Sequence, residues 1–343
     1  MAQFLPLLEA VAGRVAPPVA LVLGAPRLVV ELVNAVPSSQ VVCYQMDLFQ
    51  ADRLREELSA TGLSADVKTA PDLWDLQADF QTVIFPSPPR GERDLKIDMI
   101  EQGFHLLRPK GTFIVLSPVE HDQFYPKLMK KIFGKSSVAE ASGGTVVWAT
   151  RDGDRPRRRH EVAVQARVEE SGAPLRFLTR PGVFTYGRMD LGTRALLAAV
   201  EVKPGERLLD LGCGTGAAGI AAALRAGPTA HVTFVDSNVR AVALAELNAQ
   251  SARLTDFRAV AAIRAEGLAD GSFDVVMTNP PYYGQTAIAQ MFVERSRALL
   301  KPGGRFYLVT KQFEEIEPIV RATFGEPDLY ESRGYIILVA AKP

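Results

Sequence analysis

Hydrophobic and polar positions in the second half of the chain follow two different periods in turn. Short apolar runs over 207–211, 231–235, 273–277 and 305–309 have the length and composition of buried strands. Longer stretches between them read as helices: the Ala-rich segment 217–226, then 239–252 and 287–300. Another apolar run, 335–340, reads as a further strand. Strand and helix in alternation predict an α/β domain with a doubly wound, mostly parallel sheet. In such a sheet ligands bind beyond the carboxyl ends of the strands.

The first half repeats part of this pattern. Val83-Ile84-Phe85-Pro86-Ser87-Pro88-Pro89 aligns with Val275-Val276-Met277-Thr278-Asn279-Pro280-Pro281 at an offset of 192. Leu106-Leu107-Arg108-Pro109-Lys110-Gly111 aligns with Leu299-Leu300-Lys301-Pro302-Gly303-Gly304 at 193, and an apolar run follows each. A period the size of a domain predicts duplication of one α/β unit. The copies differ where chemistry is expected. The first has Val22-Leu23-Gly24-Ala25-Pro26 where the second has a glycine-rich turn, and Ser87 where the second has Asn279. Residues 1–150 are therefore expected to be a degenerate copy serving binding or stability. The polar Arg151–His160 stretch and the alternating Val162–Val168 segment predict a linker and lead-in strand over 151–175. The second domain then spans 176–343.

A chain of 343 residues, 47% hydrophobic and 23% charged, suits two soluble globular domains. Thirty-nine basic and 39 acidic residues cancel, so a nucleic-acid partner requires a local patch. Two clusters qualify: Lys127, Lys130, Lys131 and Lys135, and Arg155, Arg157, Arg158 and Arg159. Two cysteines, Cys43 and Cys213, exclude a disulfide framework and fit a reducing cytoplasm. The N-terminus lacks a leader's basic region, and Val19–Leu23 is too short to span a bilayer, so no membrane segment is expected. The four histidines are scattered without metal-ligand spacing, and no metal is expected.

The chemistry concentrates in two motifs of the second domain. Asp210-Leu211-Gly212-Cys213-Gly214-Thr215-Gly216 follows one strand and precedes a helix. Its glycines allow the backbone to turn tightly and approach a ligand with no Cβ in the way. Asp236 ends the next strand, 20 residues after Gly216, where its carboxylate can accept both hydroxyls of a ribose. Asp210 can meet a cofactor ammonium. Cys213 reads as a small residue in the turn. A nicotinamide site is the competing reading of the turn, but it gives the second motif no task. That motif is Asn279-Pro280-Pro281-Tyr282. An amide held by two prolines beside an aromatic ring can grip a planar amino group, which points to methyl transfer to nitrogen.

Together these motifs resemble class I S-adenosylmethionine-dependent methyltransferases. More narrowly, they resemble the ribosomal RNA guanine-N2 methyltransferases, themselves tandem duplications with a degenerate N-terminal copy. Arg180-Pro181-Gly182-Val183-Phe184 and Asp190-Leu191-Gly192-Thr193 resemble the lead-in that closes over the cofactor in that family. The resemblance implies two tandem Rossmann-like domains and S-adenosylmethionine as cofactor. It implies cofactor contacts from Asp210, Gly212, Cys213, Gly214, Gly216, Asp236, Ser237, Phe184 and Asn279. Asn279, Pro280 and Tyr282 become the catalytic residues, with Pro281, Tyr282 and Tyr283 against the substrate base. It further implies a monomer acting on ribosomal RNA or a ribosomal subunit, the small subunit favoured. The family often has a His-Asp-Gly-like continuation where this chain has Tyr283-Gly284-Gln285-Thr286, which leaves the target nucleotide open. Methyl transfer to a protein glutamine or to adenine N6 is the nearest alternative. A non-catalytic RNA-binding assembly factor is the second, and the intact glycine turn argues against it.

Overall fold

The structure is a computed structural model, and it describes residues 4–36, 40–77, 79–167, 174–281 and 286–343. The chain divides into two compact units, Met1–His160 and Glu161–Pro343. The first contains strands β1 (Val19–Val22), β2 (Val41–Gln45), β3 (Asp66–Thr69), β4 (Phe80–Pro86), β5 (Leu107–Ser117), β6 (Ser137–Ala141) and β7 (Gly144–Thr150). Its helices are α1 (Leu5–Glu9), α2 (Pro26–Ala35), α3 (Leu48–Thr61), α4 (Arg93–Phe104) and α5 (Phe124–Phe133). The second opens on a hairpin of β8 (Val162–Ala166) and β9 (Leu175–Thr179). Its main sheet contains β10 (Arg207–Leu211), β11 (His231–Asp236), β12 (Phe257–Ala261), β13 (Phe273–Thr278), β14 (Leu300–Thr310), β15 (Asp328–Ser332) and β16 (Tyr335–Ala341). Helices α6 (Leu191–Ala199), α7 (Ala217–Ala226), α8 (Val239–Ser251), α9 (Thr286–Leu299) and α10 (Phe313–Phe324) accompany it.

The two sheets have one topology. The strand orders are β3-β2-β1-β4-β5-β7-β6 and β12-β11-β10-β13-β14-β16-β15. In each, the first five strands pair in parallel and the last two pairings are antiparallel. Side chains of the second sheet alternate strictly between two cores. Leu208, Val232, Val275 and Met277 pack on one face, and Leu209, Leu211, Val235 and Val276 on the other. Covering both faces explains why these strands read as unbroken apolar runs. The duplication and the paired Rossmann-like architecture expected from the sequence are both present.

The duplication reaches single residues. Both long strands, β5 and β14, carry the same register slip after their first pair, Phe80 with Leu107 and Phe273 with Leu300. Lys110 and Gly303 occupy the same left-handed position, with φ of 68° and 74°. At Gly111 an added Cβ would meet the carbonyl of Arg108 at 3.0 Å, and at Gly304 the carbonyl of Lys301 at 2.9 Å.

This register corrects the alignment of the Pro-Pro motif. The pairs of β4 with β5 match those of β13 with β14 at 193 throughout, so Pro86, not Ser87, takes the place of Asn279. By the same pairing Leu21 replaces Asp210, Leu23 replaces Gly212 and Gln45 replaces Asp236. Leu23 even keeps the positive φ of the glycine, 58° against 76°, at a cost of about 1–2 kcal/mol for an L-residue. The hydrogen bond also changes sign: Gln45 Nε2 donates to the Gly24 carbonyl, whereas Asp236 accepts from the Gly214 N–H. Leu28, Phe85, Pro86 and Leu95 line the apolar hollow beside this turn. The first unit has the frame of the second without its acids or its amide.

Five elements of the second unit were not predicted: β9, α6, β12, β15 and α10. β12 is half exposed and mixed in polarity at the sheet edge, β15 is almost wholly exposed, and α10 carries Pro318 inside its span. These two strands lack the apolar run that sequence patterning reads, and the internal proline masks an otherwise amphipathic α10. β14 also starts five residues earlier than expected, because Lys301–Gly304 continues the strand.

The Arg-rich stretch expected to be free linker is tied to the first unit. Arg155 donates to the Ile132 carbonyl at 2.8 Å, and Arg159 lies 3.3 Å from Asp72. His160 Nε2 lies 2.7 Å from a Glu101 carboxylate oxygen.

Candidate active site

β10 and β13 are adjacent, and their carboxyl ends bring the two motifs together. Thr278 Oγ1 donates to the Leu211 carbonyl at 2.8 Å and fastens the start of one motif to the strand leading into the other. Asn279 is half-buried, Pro280 buried and Pro281 exposed. Tyr282 and Tyr283 lie outside the described residues.

The glycine turn is built for close approach. Gly212, Gly214 and Gly216 all have positive φ, at 76°, 52° and 77°. At Gly216 an added Cβ would lie 2.9 Å from the Ala245 Cβ on α8. A Cβ on Gly214 would meet nothing within 4 Å, so its outer side is open to a ligand. The N–H of Gly214 donates to Asp236 Oδ2 at 2.8 Å, and that of Asn238 to Asp236 Oδ1 at 2.9 Å. Asp236 is thereby held at the turn's edge, half-buried, with Ser237 beside it equally half-buried.

Asp210 lies beneath the turn. Its Oδ2 accepts from the Gly219 N–H at 2.9 Å. Burial, and secondarily the Asp236 charge, raise its pKa to about 7 against that hydrogen bond. Burial and the same two carboxylates push the Cys213 thiol far up, so it stays protonated and inert.

A cleft joins Asp210 and the glycine turn to Asn279. Asp210, Gly212, Cys213, Gly214 and Asn279 line it, and so does Phe184 at its exposed rim. Asp190 and Thr193 of the lead-in line it as well, as do Phe177, Thr185, Met189 and Leu196, which the sequence did not assign. Gly216, Asp236, Ser237 and Pro280 do not line it. Gly216 sets the close packing under the turn, and Asp236 stands at the turn's outer edge.

The lead-in segment is bolted down from α8. Arg240 is fully buried, and its Nη1 donates to the Pro181 carbonyl at 2.6 Å. Asn238 Nδ2 donates to the Gly182 carbonyl at 2.8 Å. Asn248 Nδ2 donates to the carbonyls of Leu178 and Thr215 at 3.0 and 2.9 Å, and its Oδ1 accepts from the Leu178 N–H at 2.7 Å. One buried amide thus joins the lead-in hairpin to the glycine turn. In the sequence Asn248 is one polar residue in a helix, with no signal to mark it.

The residues fit a cationic nucleoside donor. An acid at the end of β11 suits a ribose, the open turn admits backbone contact, and two carboxylates favour positive charge. Among the described residues no group of three or more His, Cys, Asp or Glu can hold a metal ion. No described helix is long and apolar enough to cross a membrane.

The linkage at Asp210 has a definite sign. A carboxyl with a raised folded-state pKa contributes stability below its unfolded value of 3.8, and that contribution is lost as pH rises through about 7. A cation bound in the cleft favours the ionised form, so it expels the proton that Asp210 holds below about pH 7. Affinity for S-adenosylmethionine is expected to rise from pH 6 to pH 7.5 and then level off. Asp210→Asn is expected to flatten that profile. Calorimetry in buffers of different ionisation enthalpy measures the proton release directly.

Comparison with known proteins agrees with this geometry. The Methyltransferase small domain family matches residues 174–339. Ribosomal RNA large subunit methyltransferase G of Streptomyces avermitilis is 32% identical over 71% of this chain and 68% of its own length. Ribosomal RNA small subunit methyltransferase C of Pseudomonas entomophila is 28% identical over 61% of this chain and 64% of its own. The chain thus spans about two thirds of these relatives. Among solved structures, the T. thermophilus 16S rRNA N2 G1207 methyltransferase in complex with AdoMet and guanosine matches with a TM-score of 0.74. That match covers 98% of this chain and 92% of the other at 24% identity, a likeness of fold across both units. With both motifs on adjacent strand ends and a relative 32% identical over most of its length, the chain belongs to the S-adenosylmethionine-dependent ribosomal RNA methyltransferase family that carries the Methyltransferase small domain.

Proposed function

We propose that this protein methylates the exocyclic N2 of a guanine in ribosomal RNA. The observation that carries the reading is Asn279 at the end of β13, on the same cleft as the glycine turn at the end of β10. The glycine turn, Asp210, Asp236, Ser237 and Phe184 hold S-adenosylmethionine. When bound, it supplies an electrophilic methyl group on a sulfonium.

The rest of the work falls to this chain's residues. The guanine N2 lone pair is delocalised into the ring, so the amine must be aligned and its growing positive charge stabilised. The Asn279 amide oxygen accepts one N–H and the Pro280 carbonyl the other. Two fixed acceptors favour the charged amine over the neutral one. The proton becomes acidic only after the methyl has moved, so no strong base is needed beforehand. Tyr282 stacks on the base, with Pro281 and Tyr283 at its side, and the target nucleotide must be splayed out of any helix first.

The first unit offers its own basic surface to RNA. Arg155 grips the end of α5, the helix that carries Lys127, Lys130 and Lys131, so the two basic clusters adjoin. Arg157 and Arg158 are exposed beside them, suited to phosphates.

Small-subunit RNA is the target favoured by the motif resemblance. Large-subunit RNA is the second reading: relatives at 30–34% identity carry large-subunit names, while those with small-subunit names stand at 27–28%. The deciding experiment offers tritiated S-adenosylmethionine with naked RNA or intact subunits of each type, followed by mapping of the labelled nucleotide. Label in guanine N2 of one RNA is the expected result. Label confined to a protein or to adenine N6 overturns the reading.

A further inference from the structure

Three chain segments far apart in sequence meet at Asn279. Its Nδ2 donates to Asp190 Oδ2 at 3.1 Å, across 89 residues. The same oxygen accepts from the Thr193 N–H at 3.0 Å, which makes Asp190 the N-cap of α6. Between them lies Gly192. A Cβ there would stand 2.8 Å from Asp190 Oδ2, 3.0 Å from Tyr335 Cε1 and 3.3 Å from Asn279 Nδ2. Tyr335 is itself buried at the start of β16, with Lys311 Nζ 4.6 Å from its ring centroid.

We propose that Asp190 is a positioning residue that sets which face of the Asn279 amide meets the target amine. A carboxylate only accepts hydrogen bonds, so the atom it holds must be the amide NH2. That choice fixes the amide rotation and directs Oδ1, the acceptor the reaction uses, to the other side. A flipped amide would present two donors to an amine that also donates. The missing side chain of Gly192 lets the carboxylate, the tyrosine ring and the amide meet in one slot. The inference rests on the nitrogen-methylation reading of Asn279 and adds the group that orients it.

The test uses Asp190→Asn in the full chain. Asparagine caps helices as well as aspartate does, so α6 is expected to keep its start and the protein its melting temperature. Its oxygen can still cap α6, but a neutral amide oxygen accepts about half as strongly as a carboxylate, so its hold on the Asn279 amide weakens. Turnover at saturating donor is expected to fall at least 10-fold, with the KM for RNA and the donor Kd changed less than 3-fold. Gly192→Ala is expected to produce the same split. Side-chain amide signals of Asn279, observed with 15N-labelled asparagine, are expected to shift in Asp190→Asn, and this readout needs no substrate. Unchanged Asn279 signals or unchanged turnover overturns the proposal. So does a 10-fold loss of donor affinity at intact turnover, which would place Asp190 on the donor instead. Activity is read on whichever substrate the wild type labels, so a wrong RNA assignment leaves this result legible.

Discussion

Asn279→Ala is expected to lower turnover by roughly 10²–10³-fold, the range found when one preorganised group facing developing charge is removed. The loss belongs in turnover because the amide acts where charge grows, on the target amine. Asn279 lies on the cleft wall, whereas Asp236, the residue proposed for the donor's ribose, is held at the edge of the glycine turn. Donor affinity by calorimetry should therefore move less than about 3-fold, a difference of under 1 kcal/mol. Asn279→Asp separates charge from geometry. A carboxylate has no N–H for Asp190 Oδ2, so two acids would face each other at the 3.1 Å that now holds a hydrogen bond. Its turnover should be no better than that of the alanine variant. A fully active Asn279→Ala enzyme in single-turnover assays would remove the assigned role.

Asp236→Ala is expected to weaken donor binding roughly 100-fold or more, with turnover at saturation close to wild type. A hydrogen bond to a charged group contributes about 1.5–3 kcal/mol, and a ribose offers two hydroxyls. The carboxylate also anchors the turn, accepting from the N–H groups of Gly214 and Asn238. Its loss frees the segment that must sit against the donor. The first unit is a natural control: Gln45 occupies the matching place and donates into its own turn. Donor titration of Asp236→Gln should therefore resemble Asp236→Ala. Wild-type affinity in either variant would reassign the ribose site.

Much of this was legible in the sequence because it depends on local order. A buried parallel strand needs an unbroken apolar run, so 207–211 and 273–277 announce themselves, and the glycine spacing records a backbone conformation that other residues rarely adopt. The duplication showed through because Gly111 and Gly304 meet the same two kinds of neighbour, a carbonyl and a leucine methyl, and neither tolerates a side chain. The alignment slipped by one residue at Pro86 because Pro-Pro is a stronger letter pattern than strand register, and only the pairing of β4 with β5 shows the slip.

What the tertiary structure alone decided are meetings between distant residues. Asp190 and Asn279, Arg240 and Pro181, and Asn248 with the glycine turn have separations of 89, 59 and 33 residues. A hydrogen bond of this kind leaves no period and no spacing in the chain, because either partner is an ordinary polar residue until folding removes the water around it. Asp210 shows the same division. Its place at the end of a strand was readable, but its pKa near 7 follows from complete burial beside a second carboxylate, which only packing creates. The sequence by itself determined the sheet, its duplication and the two motifs, since each rests on residue types in local order. The orientation of the Asn279 amide and the protonation of Asp210 depend on which groups are buried together, and folding alone sets that.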